Sequence, residues 1–264
     1  MADTPIAIGT APLPVELPSP PAAETTAQEE SRANMALPPV TTGTSEHYAQ
    51  GLAAAVSRAS ATNPLTIMFQ GEKLPPGQSI ADLDTASIER LVYDAATARL
   101  ATKLAHGAFV AEAAGFAAVA CWEPGRAGES HRTDQDVLAE RPIFAMFLDR
   151  WTDLMRRCLY PLAQRVSGGR YWKLSLMARD PAVPYVPGAV RAVLVPFMDR
   201  FTSDENEGGA MPVWLEAGSE RARDVYAHFG FRDVGEIEVE GVKTWGMIYT
   251  GNIRIEDTNA LQYP

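Results

Sequence analysis

VWLEAGSERARDVYAHFGF, residues 213–231, changes its hydrophobic period part-way along. Val213, Trp214 and Leu215 form a short apolar run of the kind that makes a buried strand. Glu216, Ala217 and Gly218 interrupt it. Ser219 is placed to cap a helix, its hydroxyl accepting from an amide of the first turn. Glu220 sits in that turn, where the helix dipole favours an anion. Ala222, Val225, Tyr226 and Phe229 then fall at helical spacing on one face. Gly230 stops the helix as a C′ residue, and Phe231 opens another strand. The unit reads as strand, tight turn, helix of about three turns, glycine stop, strand.

Upstream, residues 1–40 are rich in Pro, Ala, Thr and Glu and read as a flexible arm, since such a segment buries too little apolar surface to offset its ordering entropy. A folded domain is expected over 41–252, with a polar tail at 253–264. Ser45 caps an expected helix through His47, Tyr48, Leu52, Val56 and Ala59, which Asn63-Pro64 stops. Leu65, Met68 and Phe69 form a short apolar anchor. Ile80–Leu104 reads as helix. Ala108–Glu112 and Phe116–Trp122 read as a hairpin turning at Ala113-Ala114-Gly115 and closed by Glu123-Pro124-Gly125. Pro142–Leu162 is a long amphipathic helix. Tyr171–Ala178 is a strand ended by Arg179-Asp180-Pro181, and Gly188–Phe201 a helix. Phe231–Val239 and Val242–Tyr249 make a terminal hairpin around Glu240-Gly241. The order predicts one mixed α/β domain with a largely antiparallel sheet.

The 264 residues carry a net charge of −10. That balance excludes a protein that coats nucleic acid with a basic stripe. It suits a cationic or amine substrate, and it equally suits plain solubility. The two cysteines, Cys121 and Cys158, make no disulfide framework and are expected as reduced core residues. No run is long and apolar enough to span a membrane, and the N-terminus lacks the basic start of a secretory signal. A cytoplasmic protein, monomeric or homodimeric, with a small-molecule substrate is the expectation. His47 and His131 have no partners at metal-ligand spacing, so no metal is expected.

Leu215-Glu216-Ala217-Gly218-Ser219-Glu220-Arg221-Ala222, continued by Val225-Tyr226-Ala227-His228-Phe229-Gly230-Phe231, resembles the C-terminal half of the GNAT acyl-CoA N-acyltransferase superfamily. The closest form is that of its fungal members, roughly LEAS-x-x-A-x-x-x-Y-x-x-x-GF. The resemblance covers residues 40–250 in element order and is specific over 170–250. It implies a mixed, largely antiparallel sheet flanked by helices, with a splayed central strand pair. Tyr171–Ala178 and Pro212–Glu216 are then expected side by side and parallel, paired at their N-terminal ends and open at their C-terminal ends.

The implied activity is transfer of an acetyl group from acetyl-CoA to a small amine. Tyr226 matches the family's general-acid tyrosine and Ser219 a position that contacts CoA. Packing alone and helix capping alone would account for these two residues as well. Glu216, at a strand end facing the expected cleft, is the candidate base, ahead of Asp180 and Glu123. Trp122, Glu123 and Trp172 are candidates to line the acceptor pocket. Met177, Ala178, Arg179, Gly188, Ala189 and Val190 are the candidates to hold the cofactor. The first helix and the anchor after it would help to form the acceptor side.

The family's pyrophosphate turn reads Gln/Arg-x-x-Gly-x-Gly/Ala, and Pro184–Val190 departs from it. With Gly188 as the first glycine, Val190 replaces the second and Tyr185 replaces the Gln or Arg. Valine crowds the close backbone approach that glycine permits. In the other register Pro187 replaces the first glycine and has no N–H to offer. Arg179 stands where an aliphatic residue is usual and could compensate with charge. The degenerate turn leaves two other functional classes in view: a CoA-independent cyclase, lyase or isomerase of natural-product biosynthesis on the same fold, and a non-catalytic binding protein.

Overall fold

The computed structural model describes residues 36–129, 138–205, 209–251 and 253, so His131, nearly all of the 1–40 arm and most of the 253–264 tail lie outside the described residues. Compact units divide at 1–36 and 37–264; the fold is that of the second. Its strands are β1 (Val40–Gly43), β2 (Phe109–Ala113), β3 (Ala118–Arg126), β4 (Arg170–Arg179), β5 (Val213–Ala217), β6 (Arg232–Val239) and β7 (Val242–Tyr249). Its α-helices are α1 (Glu46–Ser60), α2 (Pro64–Gly71), α3 (Thr85–Ala105), α4 (Pro142–Ser167), α5 (Ala189–Phe201) and α6 (Glu220–His228). One seven-stranded sheet runs β1-β2-β3-β4-β5-β7-β6. Every pairing is antiparallel except β4 with β5.

Alternation along the strands sends side chains to two covered faces. On one face Ala111, Ala113, Ala118 and Ala120 present small side chains, and α5 closes onto them through Ala192, Val193 and Met198. Tyr226 of α6 and Leu174, Leu215 and Met247 of the sheet join the same core. On the opposite face α1 and α3 cover Val110, Val119 and Cys121. Further along that face, α4 covers Trp214, Val234 and Ile248 with Trp151, Leu154 and Leu159. Cys121 and Cys158 are unbridged and buried. Among the described residues, no helix is long and apolar enough to cross a membrane.

Several expected elements differ in detail. Asn63-Pro64 not only ends α1 but starts α2: the Asn63 carboxamide accepts from the amides of Leu65 at 3.0 Å and Thr66 at 3.2 Å, and proline fits the first helical position. The Leu65–Phe69 anchor is therefore helical. The 80–104 stretch splits into a 3₁₀ turn at Ile80–Asp82 and α3, which Asp84 caps through the amide of Ser87. Strand β3 begins at Ala118, after a turn in which Ala114, Gly115 and Phe116 have positive φ. It also runs through Glu123-Pro124-Gly125 instead of closing there. Proline is tolerated because β2 pairs only as far as Trp122, leaving that edge without a partner. Helix α4 continues through Pro161 to Ser167. Ser45 begins α1 without a side-chain capping bond.

Candidate active site

The parallel pairing of β4 and β5 is short: Trp172 with Val213, Lys173 with Trp214, Leu174 with Leu215. Beyond it β4 continues to Arg179 paired with β3 alone, and β5 to Ala217 paired with β7 alone. The two strands separate into a wedge whose inner backbone edges have no strand partner. A register shift accompanies the separation. Cys121 of β3 faces Leu176 while Trp122 faces Leu174, so Ser175 is an extra residue on β4. Such a bulge bends its strand and re-aims the side chains beyond it.

Glu216 is the first β5 residue past the last parallel pair. Its Oε1 accepts from Lys173 Nζ at 2.7 Å and from Trp214 Nε1 at 3.3 Å. The lysine is 14% exposed and the glutamate 23%, so the pair is held largely out of water. Burial alone would lower the Lys173 ammonium, but Glu216 and then Glu123 outweigh it and hold it above its ordinary value. Glu123 of β3 lies directly across from Lys173 and is itself paired with Lys103 of α3. A row of alternating charge, Lys103–Glu123–Lys173–Glu216, thus crosses the sheet where it opens, on the face away from α5 and α6.

On the other face, Ser219 caps α6 through the amide of Ala222 at 3.2 Å. Tyr226 points its ring into the core and is 9% exposed. Its hydroxyl makes no hydrogen bond among the described residues. Burial pushes the phenol up to about 12. An open groove of about 700 Å³ runs between Val190 at the start of α5 and the outer side of α6, along Glu220, Arg221, Asp224, Val225, His228 and Phe229. Val225, expected on the buried stripe, is 40% exposed in this groove.

Gly188 is the N-cap of α5, with φ 79°, and offers no capping side chain. The amide of Ala189 is taken by Val186 O at 3.2 Å, leaving those of Val190 and Arg191 as orphan donors of the first turn. The chain entering β1 lies on the same glycine: a Cβ there would sit 3.3 Å from Pro38 Cδ and 3.4 Å from Leu37 Cδ2. Arg179 is exposed at the end of β4, its guanidinium over the Tyr185 ring at 5.6 Å. The end of β4 is thereby joined to the loop that leads to the turn.

No protein-family model and no curated protein matches the chain. Solved structures do. One from Corynebacterium glutamicum, described as histone acetyltransferase HPA2 and related acetyltransferase, is 16% identical with a TM-score of 0.50, over 83% of this chain and 99% of that one. Arylalkylamine N-acetyltransferase 2 of Aedes aegypti is 11% identical with a TM-score of 0.51, over 79% and 97%.

The chain has the GNAT fold. Within it the expected site residues separate by sheet face. Trp122 is fully buried under α5, its indole N–H donating to Val193 O at 3.2 Å. Trp172 stacks on Phe201 of α5, with centroids 4.2 Å apart. Trp122 is a core residue, whereas Trp172 is partly buried against that core with its indole N–H enclosed and without an acceptor among the described residues. Neighbours on a strand point to opposite faces, so Trp122 could not share a wall with Glu123, which does face the charged row. Met177 packs into the α5 core and Ala178 into the α1–α3 core, leaving their backbones to border the wedge. Asp180 is not available as a base: it is 2% exposed and held by Arg58 of α1, with Nε–Oδ1 at 2.8 Å.

Three residues of the GNAT wedge carried no motif. Lys173 and Lys103 each read as one more strand or helix cation, and only the register pairs them with Glu216 and Glu123. Asn63 reads as a helix stop. Its Nδ2 in fact donates to Gly218 O at 3.3 Å, tying the start of α2 to the loop after β5. Among the described residues, no three His, Cys, Asp or Glu side chains are grouped to hold a metal.

Proposed function

We propose that the protein is an N-acetyltransferase that uses acetyl-CoA to acylate a small amine. The observation that carries this reading is the wedge itself. Beyond Leu174 and Leu215 the edges of β4 and β5 part, with the Glu216 carboxylate at the opening on one side of the sheet and Tyr226 of α6 packed against the other. Acetyl-CoA supplies the acyl group as a thioester. The fit is partial: the groove beside α6 and the amides of Val190 and Arg191 are suited to hold it, while Ala189 and the Leu37–Pro38 contact reduce what the turn offers. Ser219 directly precedes Glu220, which lines the same groove.

The acceptor then approaches from the face of the charged row. Glu216, anchored by Lys173 and Trp214, takes the proton from the attacking amine. Tyr226 keeps its proton throughout the working range, and its O–H meets the negative charge that develops on the leaving sulfur. Full transfer from a phenol near 12 to a thiolate of ordinary pKa about 8.5 runs uphill, so the hydrogen bond does the stabilising. Titration calorimetry with acetyl-CoA, and then thiol release against a panel of amines, tests the reading. Heat of binding and acceptor-dependent thiol release are expected, and no binding at millimolar acetyl-CoA overturns it. In that case the same fold would serve a CoA-independent enzyme or a binding protein, the reading favoured by the Leu37–Pro38 contact on the turn.

A further inference from the structure

Lys73 and Arg141 meet at the C-terminal end of α2, Arg99 of α3 lies near enough for its charge to act on Lys73 and to be acted on by Arg141, and none of them is bonded to a carboxylate among the described residues. Lys73 Nζ donates to Gln70 Oε1 at 3.1 Å, Arg99 Nε to Ala95 O at 3.3 Å, and Arg141 Nη2 to Phe69 O at 3.4 Å. Arg141 Nε is fully enclosed and has no acceptor among the described residues. Glu72, next to Lys73, has both oxygens on the first turn of α4: Oε1 accepts from Ile143 N at 2.6 Å and Oε2 from Phe144 N at 3.0 Å. Desolvation and then the neighbouring Arg141 and Arg99 push the Lys73 ammonium down to about 8. Like charges gathered against the protein repel at a cost that an anion between them removes. This concentration of positive charge stands in a chain whose net charge is −10.

The cluster is connected to the wedge by two helices. Arg99 and Lys103 are one turn apart on one side of α3, and Lys103 begins the charged row that ends at Glu216. Helix α2 runs from Asn63, bonded to the loop after β5, to the Gln70–Lys73 end. Its eight residues span about 12 Å. We propose that Lys73, Arg99 and Arg141 form a site for the carboxylate of the acceptor, which is thus an amine carrying an acid group about 12 Å from its nitrogen. Arginine suits this role because its guanidinium stays charged and grips a carboxylate through two parallel N–H groups. The identity of this ligand as acceptor rests on the transferase reading; the anion site itself does not.

The test is titration calorimetry of the full chain, without acetyl-CoA, at matched ionic strength. The probes are 8-aminooctanoate and 1,8-diaminooctane, which have the same length and differ only in having an acid or a second ammonium at the far end. The amino acid is expected to bind about tenfold or more tightly than the diamine. The preference should vanish in Lys73→Met/Arg99→Met, which removes two of the three cations and leaves the Arg141 contact with Phe69 intact. Equal or tighter binding of the diamine overturns the proposal, as does a preference that survives the double substitution. A parallel titration with acetyl-CoA separates the two readings: silence there with the acid preference intact counts against the transferase and for the anion site.

Discussion

Tyr226 is the residue on which structure and chemistry make opposite demands. Its ring is core, but its hydroxyl has no partner to lose among the described residues. Tyr226→Phe should therefore leave the melting temperature unchanged and lower turnover by about two to three orders of magnitude, the loss of one hydrogen-bond donor to the developing charge. Persistent activity with a lower melting temperature would assign the phenol to packing. Gly188 gives a second test. Its φ of 79° strains any other residue, by about 1–2 kcal/mol, and its Cβ would press on Leu37 and Pro38. Gly188→Ala should lower the urea midpoint accordingly; an unchanged midpoint would show that the turn and the Leu37–Pro38 segment yield freely. Val190→Gly should tighten acetyl-CoA binding by opening the approach to the first amides of α5, whereas low-micromolar binding by the unsubstituted protein would show that the degenerate turn does not matter. The capping of α6 by Ser219 was legible in the sequence because it is local. The partner of Glu216 was not, since Lys173 lies 43 residues away.

At the scale of elements, Arg58 and Asp180 clamp the end of α1 to the end of β4, the outer lip of the wedge. Hydrogen bonding from Arg58 holds the Asp180 carboxyl below its ordinary value of 3.8. A depressed carboxylate contributes stability that is present above the unfolded value and lost as pH falls through the folded one. Arg58→Met should thus cost about 2–3 kcal/mol at neutral pH, with the gap to the unsubstituted protein narrowing below about pH 4. Denaturant titrations at pH 7 and pH 3 check this, and an equal gap at both would remove the ion pair as its cause. The long helices and the terminal hairpin follow from periodicity over many residues. The short pieces do not: β1 has four residues and α2 eight, too few for a period to show. Strand β1 exists because β2 offers it an edge, and α2 because Asn63 caps it while Phe69 finds Phe144 and Phe147.

For the whole molecule, the wedge divides β4 into two halves of unequal protection. Amides of Ser175–Arg179 that are not bonded to β3 should exchange with solvent far faster than those of Tyr171–Leu174, and acetyl-CoA should slow them. Uniform protection along β4 would mean that the wedge closes in solution. The sequence by itself determined the mixed α/β class and the strand–helix–strand unit from Val213 onward, because period, caps and glycine stops act within a few residues of chain; the adjacency of the 171–178 and 213–216 strands was implied only by the family resemblance. Tertiary structure alone decided which face each strand residue serves. The bulge at Ser175, the burial of Trp122 and Trp172, and the joining of Lys103, Glu123, Lys173 and Glu216 into one row all depend on register between strands distant in sequence. A one-residue shift of that register would send the strand residues among them to the other side of the sheet, away from Lys103 of α3.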